Sequence, residues 1–245
     1  MRAAVAVLLA LAAPARADCT AEFAAFAEVF LGGWHEDLSP APLIEEAGGR
    51  CFLTIDDPDP TFAADWRLAP TGDVTTLDLK GATLPAGPGQ WFARLIAIHD
   101  ARAGTVRVEM ATLYPPGGGL FDFRGTLSGI DLSSTTQAQL SLSGVTLEEA
   151  ELTSDLPAPF PQLTNGVPAL AEGITDGGGQ AAWADFLAAH GAGRLTARIE
   201  RAPRLPILPL FRTYLFGEAM TFSGPMLRDP VAWQAALDWT PAGAN

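Results

Sequence analysis

Alternation of apolar and polar residues runs through the chain from about residue 62 to residue 156, and it limits the possible folds more than any other feature. The pattern is clear in three short runs, which are Leu77 to Lys80, Val106 to Met110 and Gln139 to Leu142. A period of two places successive side chains on opposite faces of a strand. The segment therefore predicts an antiparallel sheet with one apolar and one polar face.

Outside this segment the sequence predicts helices. An apolar stripe at helical spacing or a capping pattern marks four segments, at 20–31, 39–49, 180–190 and from about 229 to 237. The first of them is the clearest, because Phe23, Phe26 and Phe30 share one face. The predicted fold class is α+β, mainly β, with a curved antiparallel sheet and about four short helices packed on it.

The curvature is inferred from a weak repeat of the form L-x-G-x-x-L. It occurs at 79–84, 127–132 and 142–147, with a looser copy at 222–227. In one interpretation, each glycine marks a bulge at which the apolar positions change phase, and the sheet bends there. In the other, the glycines only mark turns between short strands.

The first 17 residues have the features of a secretory signal peptide. Arg2 supplies a positive charge, an apolar run follows, and Ala15-Arg16-Ala17 forms a cleavage site before Asp18. The run is shorter than the roughly 20 residues that a membrane-spanning helix needs. We therefore expect a periplasmic or secreted protein with one β-rich domain at 18–245. A buried N-terminal helix is the alternative.

Cys19 and Cys51 are the only cysteines, and both follow the predicted cleavage site. In an oxidising compartment two such cysteines usually form a disulfide bond. A redox pair or a metal site is the alternative, but redox pairs usually have the spacing C-x-x-C and zinc needs more ligands. The sequence predicts a structural Cys19–Cys51 disulfide.

The chain is acidic, with 28 aspartates and glutamates against 15 lysines and arginines and a net charge of −13. Removal of the signal peptide would leave 13 basic residues against 28 acidic ones, a net charge of −15. Such a surface repels phosphate backbones and anionic lipid head groups. Nucleic acids and charge-driven membrane docking are therefore not expected.

The three histidines lie in no catalytic or metal-binding motif, and no cofactor motif is present. His99 is followed by Asp100, which could orient it, but no serine nucleophile is indicated. His35 is interpreted as a loop residue, although it could bind a metal with its acidic neighbours. His190 ends the stripe of a predicted helix, where the helix dipole favours it.

An acidic cluster follows the predicted strand at 51–55. Asp56, Asp57 and Asp59 are close enough in sequence to hold calcium, which prefers oxygen ligands. Their spacing does not match an EF-hand loop. A solvated acidic loop is the more economical interpretation, and no metal is expected.

Aromatic residues are concentrated in the last third of the chain. Packing of helices on the sheet is one interpretation of this concentration. The other is an apolar groove for a lipidic ligand. The residues assigned to such a groove are Trp183, Phe211, Tyr214, Phe216 and Trp233.

The repeated short strands at 123–132 and 140–152 provide a resemblance. An exported chain with such strands is similar to the β-rich segments of AsmA-like envelope proteins and their uncharacterised periplasmic relatives in proteobacteria. The likeness covers about residues 74 to 152. It implies a curved sheet that shelters acyl chains and a role in the outer membrane. The chain lacks the membrane anchor and the length usual in that family, and no functional residue carries over.

These observations predict an exported, non-catalytic protein that binds an apolar or lipidic ligand or an envelope partner. A secreted hydrolase with a dispersed active site is one alternative, because scattered catalytic residues leave no motif. A purely structural or adhesive module is another. The identity of the ligand and the oligomeric state stay open at this stage.

Overall fold

The computed structural model describes residues 18–31, 41–55, 61–84, 92–114, 119–156, 181–182, 185, 193–199, 202–205 and 235–241. Two helices are present in this part of the chain, α1 (Cys19–Phe26), which continues as a π-helical turn (Ala27–Leu31), and α2 (Thr135–Leu142). The strands are β1 (Leu43–Ala47), β2 (Arg50–Ile55), β3 (Thr61–Thr71), β4 (Val74–Leu84), β5 (Phe92–Asp100), β6 (Thr105–Tyr114), β7 (Leu120–Ser128), β8 (Val145–Leu156), β9 (Gly193–Ile199), β10 (Ala202–Leu205) and β11 (Ala235–Pro241).

All of these strands belong to one antiparallel sheet. Strands β1 to β8 form a meander in which each strand pairs with the next one along the chain. Strand β9 pairs with β8 and with β11, while β10 pairs with β8 near its first residues. The sheet is open, because β1 and β11 stand at opposite ends of the strand order and do not pair within the described residues. The prediction that the protein is mainly β is correct.

The prediction of about four helices is wrong, since the described residues contain two complete helices. The segment predicted as a helix at 39–49 is instead a hairpin of β1 and β2. Gly48 and Gly49 form its turn with φ values of 60° and 71°. A two-residue glycine turn joins antiparallel strands with the right twist, whereas the sequence analysis interpreted it as the end of a helix.

The other helix predictions have mixed outcomes. The helix predicted at 20–31 is present. Asp18 caps it, because its side chain accepts a hydrogen bond from the backbone N–H of Ala21. The last predicted helix is wrong where it is described, because Ala235–Pro241 is a strand paired with β9. At 180–190, Ala181, Ala182 and Asp185 are helical and the other residues lie outside the described ones.

One predicted strand is also a helix. Residues 139–142 alternate in polarity, but they form the end of α2, which the Ser134 side chain caps by accepting a hydrogen bond from the Gln137 N–H. Leu140 is exposed and Leu142 is fully buried. Residues two apart lie on nearly opposite sides of a helix, so a short alternation fits either element.

The core lies between the two helices and one face of the sheet, which we call the inner face. Phe23, Phe26 and Phe30 of α1 and its π-helical turn are buried there, as the sequence predicts. The rings of Phe26 and Phe30 stack with centroids 5.2 Å apart. Buried residues of β2 to β8 and of α2 complete one continuous cluster.

Two β-bulges keep the apolar residues of β6 and β8 on the inner face. On β6, Ala97 is opposite Val108 and Ile96 is opposite Met110, which leaves Glu109 as the extra residue. On β8, Leu147 is opposite Leu127 and Glu149 is opposite Thr126, which leaves Glu148 as the extra residue. The phase of both strands therefore changes at a glutamate, and the prediction that Met110 shares a face with Val108 is wrong.

The three L-x-G-x-x-L segments that the structure describes do not form a structural repeat, and the looser copy at 222–227 lies outside the described residues. The copy at 79–84 lies within β4, the copy at 127–132 leaves β7, and the copy at 142–147 joins α2 to β8. Gly129, with φ of 78°, follows the last residue of β7. Two of these three glycines lie between regular elements, so the interpretation of glycine as a turn residue holds there.

Candidate functional site

The predicted disulfide bond between Cys19 and Cys51 is present, with 5.4 Å between the two Cα atoms. It joins the first residue of α1 to β2, next to the backbone pair Cys51–Trp66. Both cysteines are buried. In the chain-entropy account a loop of this length contributes about 3 to 4 kcal/mol to stability. The pair is a structural link between helix and sheet.

A buried carboxyl group lies directly beside the disulfide. Glu22 is one helical turn after Cys19, and only 4% of it is exposed. Its Oε2 accepts a hydrogen bond of 2.7 Å from the indole N–H of Trp66 and lies 3.6 Å from Sγ of Cys51. Because that sulfur belongs to a disulfide, it has no proton to donate.

Burial raises the pKa of Glu22, the hydrogen bond from Trp66 lowers it, and the carboxylates of Asp18 and Glu46 raise it. The net direction is upward, because removal from water penalises the charged form most. Glu22 was not among the site residues predicted from the sequence. The signal was its spacing, since residues three apart share a face of a helix and the face of Cys19 must meet the sheet.

His99 is buried on the inner face near the end of β5, with 3% of it exposed. It lies opposite Thr75 of β4 and Val106 of β6. Neither ring nitrogen has a hydrogen-bond partner among the described residues. Burial lowers the pKa of His99, while the charges of Asp100 and Asp131 raise it.

The structure does not give His99 the neighbours of a catalytic base. Asp100 follows it in the strand, so the two side chains lie on opposite faces of the sheet. The Asp100 side chain accepts a hydrogen bond from the backbone N–H of Ala103 in the next turn. Asp131 is exposed and accepts from the N–H of Ser133. The prediction that Asp100 orients His99 is therefore wrong.

Several predicted sites fall outside the described residues. These are the acidic cluster Asp56, Asp57 and Asp59, the groove residues Trp183, Phe211, Tyr214, Phe216 and Trp233, and the histidines His35 and His190. Among the residues that the structure describes, no group of three or more histidines, cysteines, aspartates or glutamates could hold a metal ion. No described helix is long and apolar enough to cross a membrane.

The inner face continues beyond the core under the helices. A row of cross-strand pairs lies on this face two residues along the strands from Cys51 and Trp66, so it is about 7 Å from that pair. This row, which we call the distal row, consists of Leu53, Ala64, Gly81, Ala93 and Leu113. Its three central members are small and its two outer ones are large, and four of the five are buried, namely Leu53, Gly81, Ala93 and Leu113.

The distal row belongs only in part to the core, because Leu53 is a member of the core cluster and Ala64 packs against it. Ala93 and Leu113 are buried but do not belong to the cluster that α1 and α2 form with the sheet. Phe62 and Phe123 flank the row and are only partly buried. An apolar surface with small residues at its centre and aromatic rings at its sides can take up an apolar molecule.

The opposite, outer face carries an ion-pair network on β2 to β5. The Arg50 side chain donates to Asp65 Oδ1 at 2.6 Å and to Asp78 Oδ2 at 3.0 Å, so one guanidinium holds both carboxylates. Arg94 Nε lies 4.0 Å from the other oxygen of Asp78 and makes no hydrogen bond within the described part of the chain. This face is the polar face that the alternation predicts.

An exposed aromatic pair lies beside this network. Phe92 of β5 is opposite Tyr114 of β6, with ring centroids 6.1 Å apart. The exposed fractions are 39% for Phe92 and 48% for Tyr114. On the same face and one step along the strands, Arg94 is opposite Lys80 of β4.

Fold and geometry define an open antiparallel β-sheet protein with a helix linked to the sheet by a disulfide bond. Comparison of the chain with protein-family models, with curated proteins and with solved structures found no match.

Proposed function

We propose that the protein is exported to the periplasm or the cell exterior, is not an enzyme, and binds an apolar or lipidic ligand on the inner face of its sheet. The distal row is the observation that carries this proposal. Its central residues are small, the row is apolar, and the aromatic residues Phe62 and Phe123 flank it on the inner face.

Two further observations support the proposal. The Cys19–Cys51 disulfide is compatible with an oxidising compartment outside the cytoplasm. Residues 74–152, which resemble AsmA-like envelope proteins, supply the strands β4 to β8 that form the centre of the sheet.

The test uses an uncharged fluorescent probe, N-phenyl-1-naphthylamine. Ala64→Leu adds a branched side chain to the distal row, so we expect the affinity for the probe to fall about tenfold. Ala63→Leu is the matched control, because Ala63 is the preceding residue of β3, is also partly buried and lies on the outer face.

The control variant should bind the probe like the unmodified protein. Thermal unfolding of both variants shows whether the fold is intact. Absence of probe binding by the unmodified protein, or equal losses in the two variants, would contradict the proposal.

A further inference from the structure

Two cations, Lys80 and Arg94, lie side by side on the outer face. Lys80 and Arg94 are direct cross-strand partners, so their Cβ atoms are about 5 Å apart. Like charges in this arrangement are destabilising. Lys80 makes no ion pair shorter than 4.0 Å among the described residues, and Arg94 has only the long contact to Asp78.

Arg50 binds both of the nearby carboxylates, but Asp78 Oδ1 accepts no hydrogen bond within the described residues and lies 4.0 Å from Arg94 Nε. Asp65 is the other cross-strand neighbour of Lys80, but its side chain binds Arg50. Asp78 binds the same arginine through its side chain and through its backbone oxygen. Among the described residues Lys80 makes no ion pair with either acid, so its ammonium group is available to an additional anion.

The aromatic pair lies on the same face and in the same strands as the cations. Phe92 is two residues before Arg94, so the Cα atoms of these two residues are about 7 Å apart. Tyr114 is the cross-strand partner of Phe92. Exposed aromatic residues next to arginine are typical of binding surfaces. We call these four residues the aromatic–cationic patch.

We propose that the aromatic–cationic patch of Lys80, Arg94, Phe92 and Tyr114 binds an amphipathic organic monoanion. The oxyanion of this ligand, such as a carboxylate, lies between the two cations, and its apolar body covers the two rings. The net charge of −13 disfavours ligands with several negative charges, because the field of the whole chain repels them.

This site is separate from the proposed apolar site, since the two lie on opposite faces of the sheet. The test uses two probes with the same aromatic body. 8-Anilino-1-naphthalenesulfonate carries one negative charge, and N-phenyl-1-naphthylamine carries none. The difference in their binding to one variant therefore reports the contribution of the charge.

For the variant with both Lys80→Gln and Arg94→Gln we expect an affinity for the anionic probe that is about tenfold lower, and an unchanged affinity for the uncharged probe. Lys80→Gln alone removes a side chain without an ion pair and should lower the affinity for the anionic probe severalfold. Phe92→Ala should weaken the same binding. High salt should weaken it too.

Arg107→Gln is the matched control, because Arg107 is exposed on the same face and pairs with Glu109 at 2.9 Å. This control should bind the anionic probe like the unmodified protein. Unchanged binding of the anionic probe to both lysine variants, or equal losses for the two probes, would overturn the proposal. Loss of binding of the uncharged probe in Ala64→Leu alone would bear on the proposed apolar site of the inner face and not on the aromatic–cationic patch.

Discussion

The carboxyl group of Glu22 is enclosed by the indole of Trp66 and by the disulfide sulfur of Cys51. Burial raises the pKa of this carboxyl group in the folded protein. The folded state therefore holds the proton more tightly than the unfolded chain does. Its contribution to stability is complete below the unfolded pKa of about 4.5 and is lost as the pH rises through the raised value.

The variant Glu22→Gln tests this linkage. A glutamine oxygen can still accept the hydrogen bond from Trp66, but the side chain no longer ionises. We expect its free energy of unfolding to match that of the unmodified protein at acid pH and to exceed it at higher pH. Denaturant unfolding over a pH series measures this. The exposed residue Glu149 provides the control Glu149→Gln, and an offset independent of pH in Glu22→Gln would contradict the account.

His99 has the opposite dependence on pH. Burial lowers the pKa of this histidine below the ordinary value of 6.5, so the unfolded chain binds the proton more tightly. Stability is complete above pH 6.5 and is lost as the pH falls through that value towards the lowered one. The two buried groups thus limit the stable range from opposite sides.

We expect His99→Leu to be at least as stable as the unmodified protein at neutral pH. Leucine has a similar volume to histidine. The substitution removes two buried ring nitrogens that have no hydrogen-bond partner among the described residues. Burying an unsatisfied polar group costs about 1 to 3 kcal/mol. The variant should also lose the acid-dependent part of the unfolding free energy between pH 7 and pH 5. A large loss of stability at neutral pH would show that the imidazole has a favourable partner.

At the scale of single elements, β7 stays regular between two bulged neighbours. Gly125 of β7 is opposite Val108, beside the β6 bulge, and opposite Ala150, beside the β8 bulge. A Cβ atom at Gly125 would lie 2.7 Å from the backbone oxygen of Glu149 and 3.1 Å from the Phe123 ring. The strands approach each other too closely there for a side chain.

Gly125→Ala should therefore lower the free energy of unfolding by about 1 to 3 kcal/mol, since the clash is with backbone rather than with a flexible side chain. Gly144→Ala is the control, because a Cβ atom there would meet nothing within 4 Å. Denaturant unfolding measures both. Equal stabilities of the two variants would show that the neighbouring strand moves aside at little cost.

Some elements could be predicted from sequence and others could not. Alternation from Leu77 to Lys80 predicted the polar and apolar faces of β4, because one face of the sheet packs on the core. Four alternating residues at 139–142 did not distinguish a strand from a helix end. Glu109 and Glu148 carry no signal of a bulge, since the register depends on the neighbouring strands. For the same reason, the hydrogen bond from Trp66 to Glu22 could not be predicted without knowledge of the fold.

At the scale of the whole molecule, we predict that the protein is exported. The arginine, the apolar run and the Ala15-Arg16-Ala17 site predict that a signal peptidase cleaves after Ala17. The first residue of the exported protein should be Asp18, which caps α1. N-terminal sequencing of the protein from the envelope or the medium checks this. An intact Met1 on protein in either fraction would contradict it.

The pairing of β1 to β8 between chain neighbours also sets an order of folding. Each of these ladders closes over a short stretch of chain, and contacts of low sequence separation form fastest. The hydrogen bond from Thr135 to Glu28 joins α2 to the helical segment after α1 across 107 residues and requires both to be in place. Strands β1 to β7 precede α2 in the chain, so they can pair before α2 covers the sheet. During that interval its apolar face is the surface most prone to aggregation.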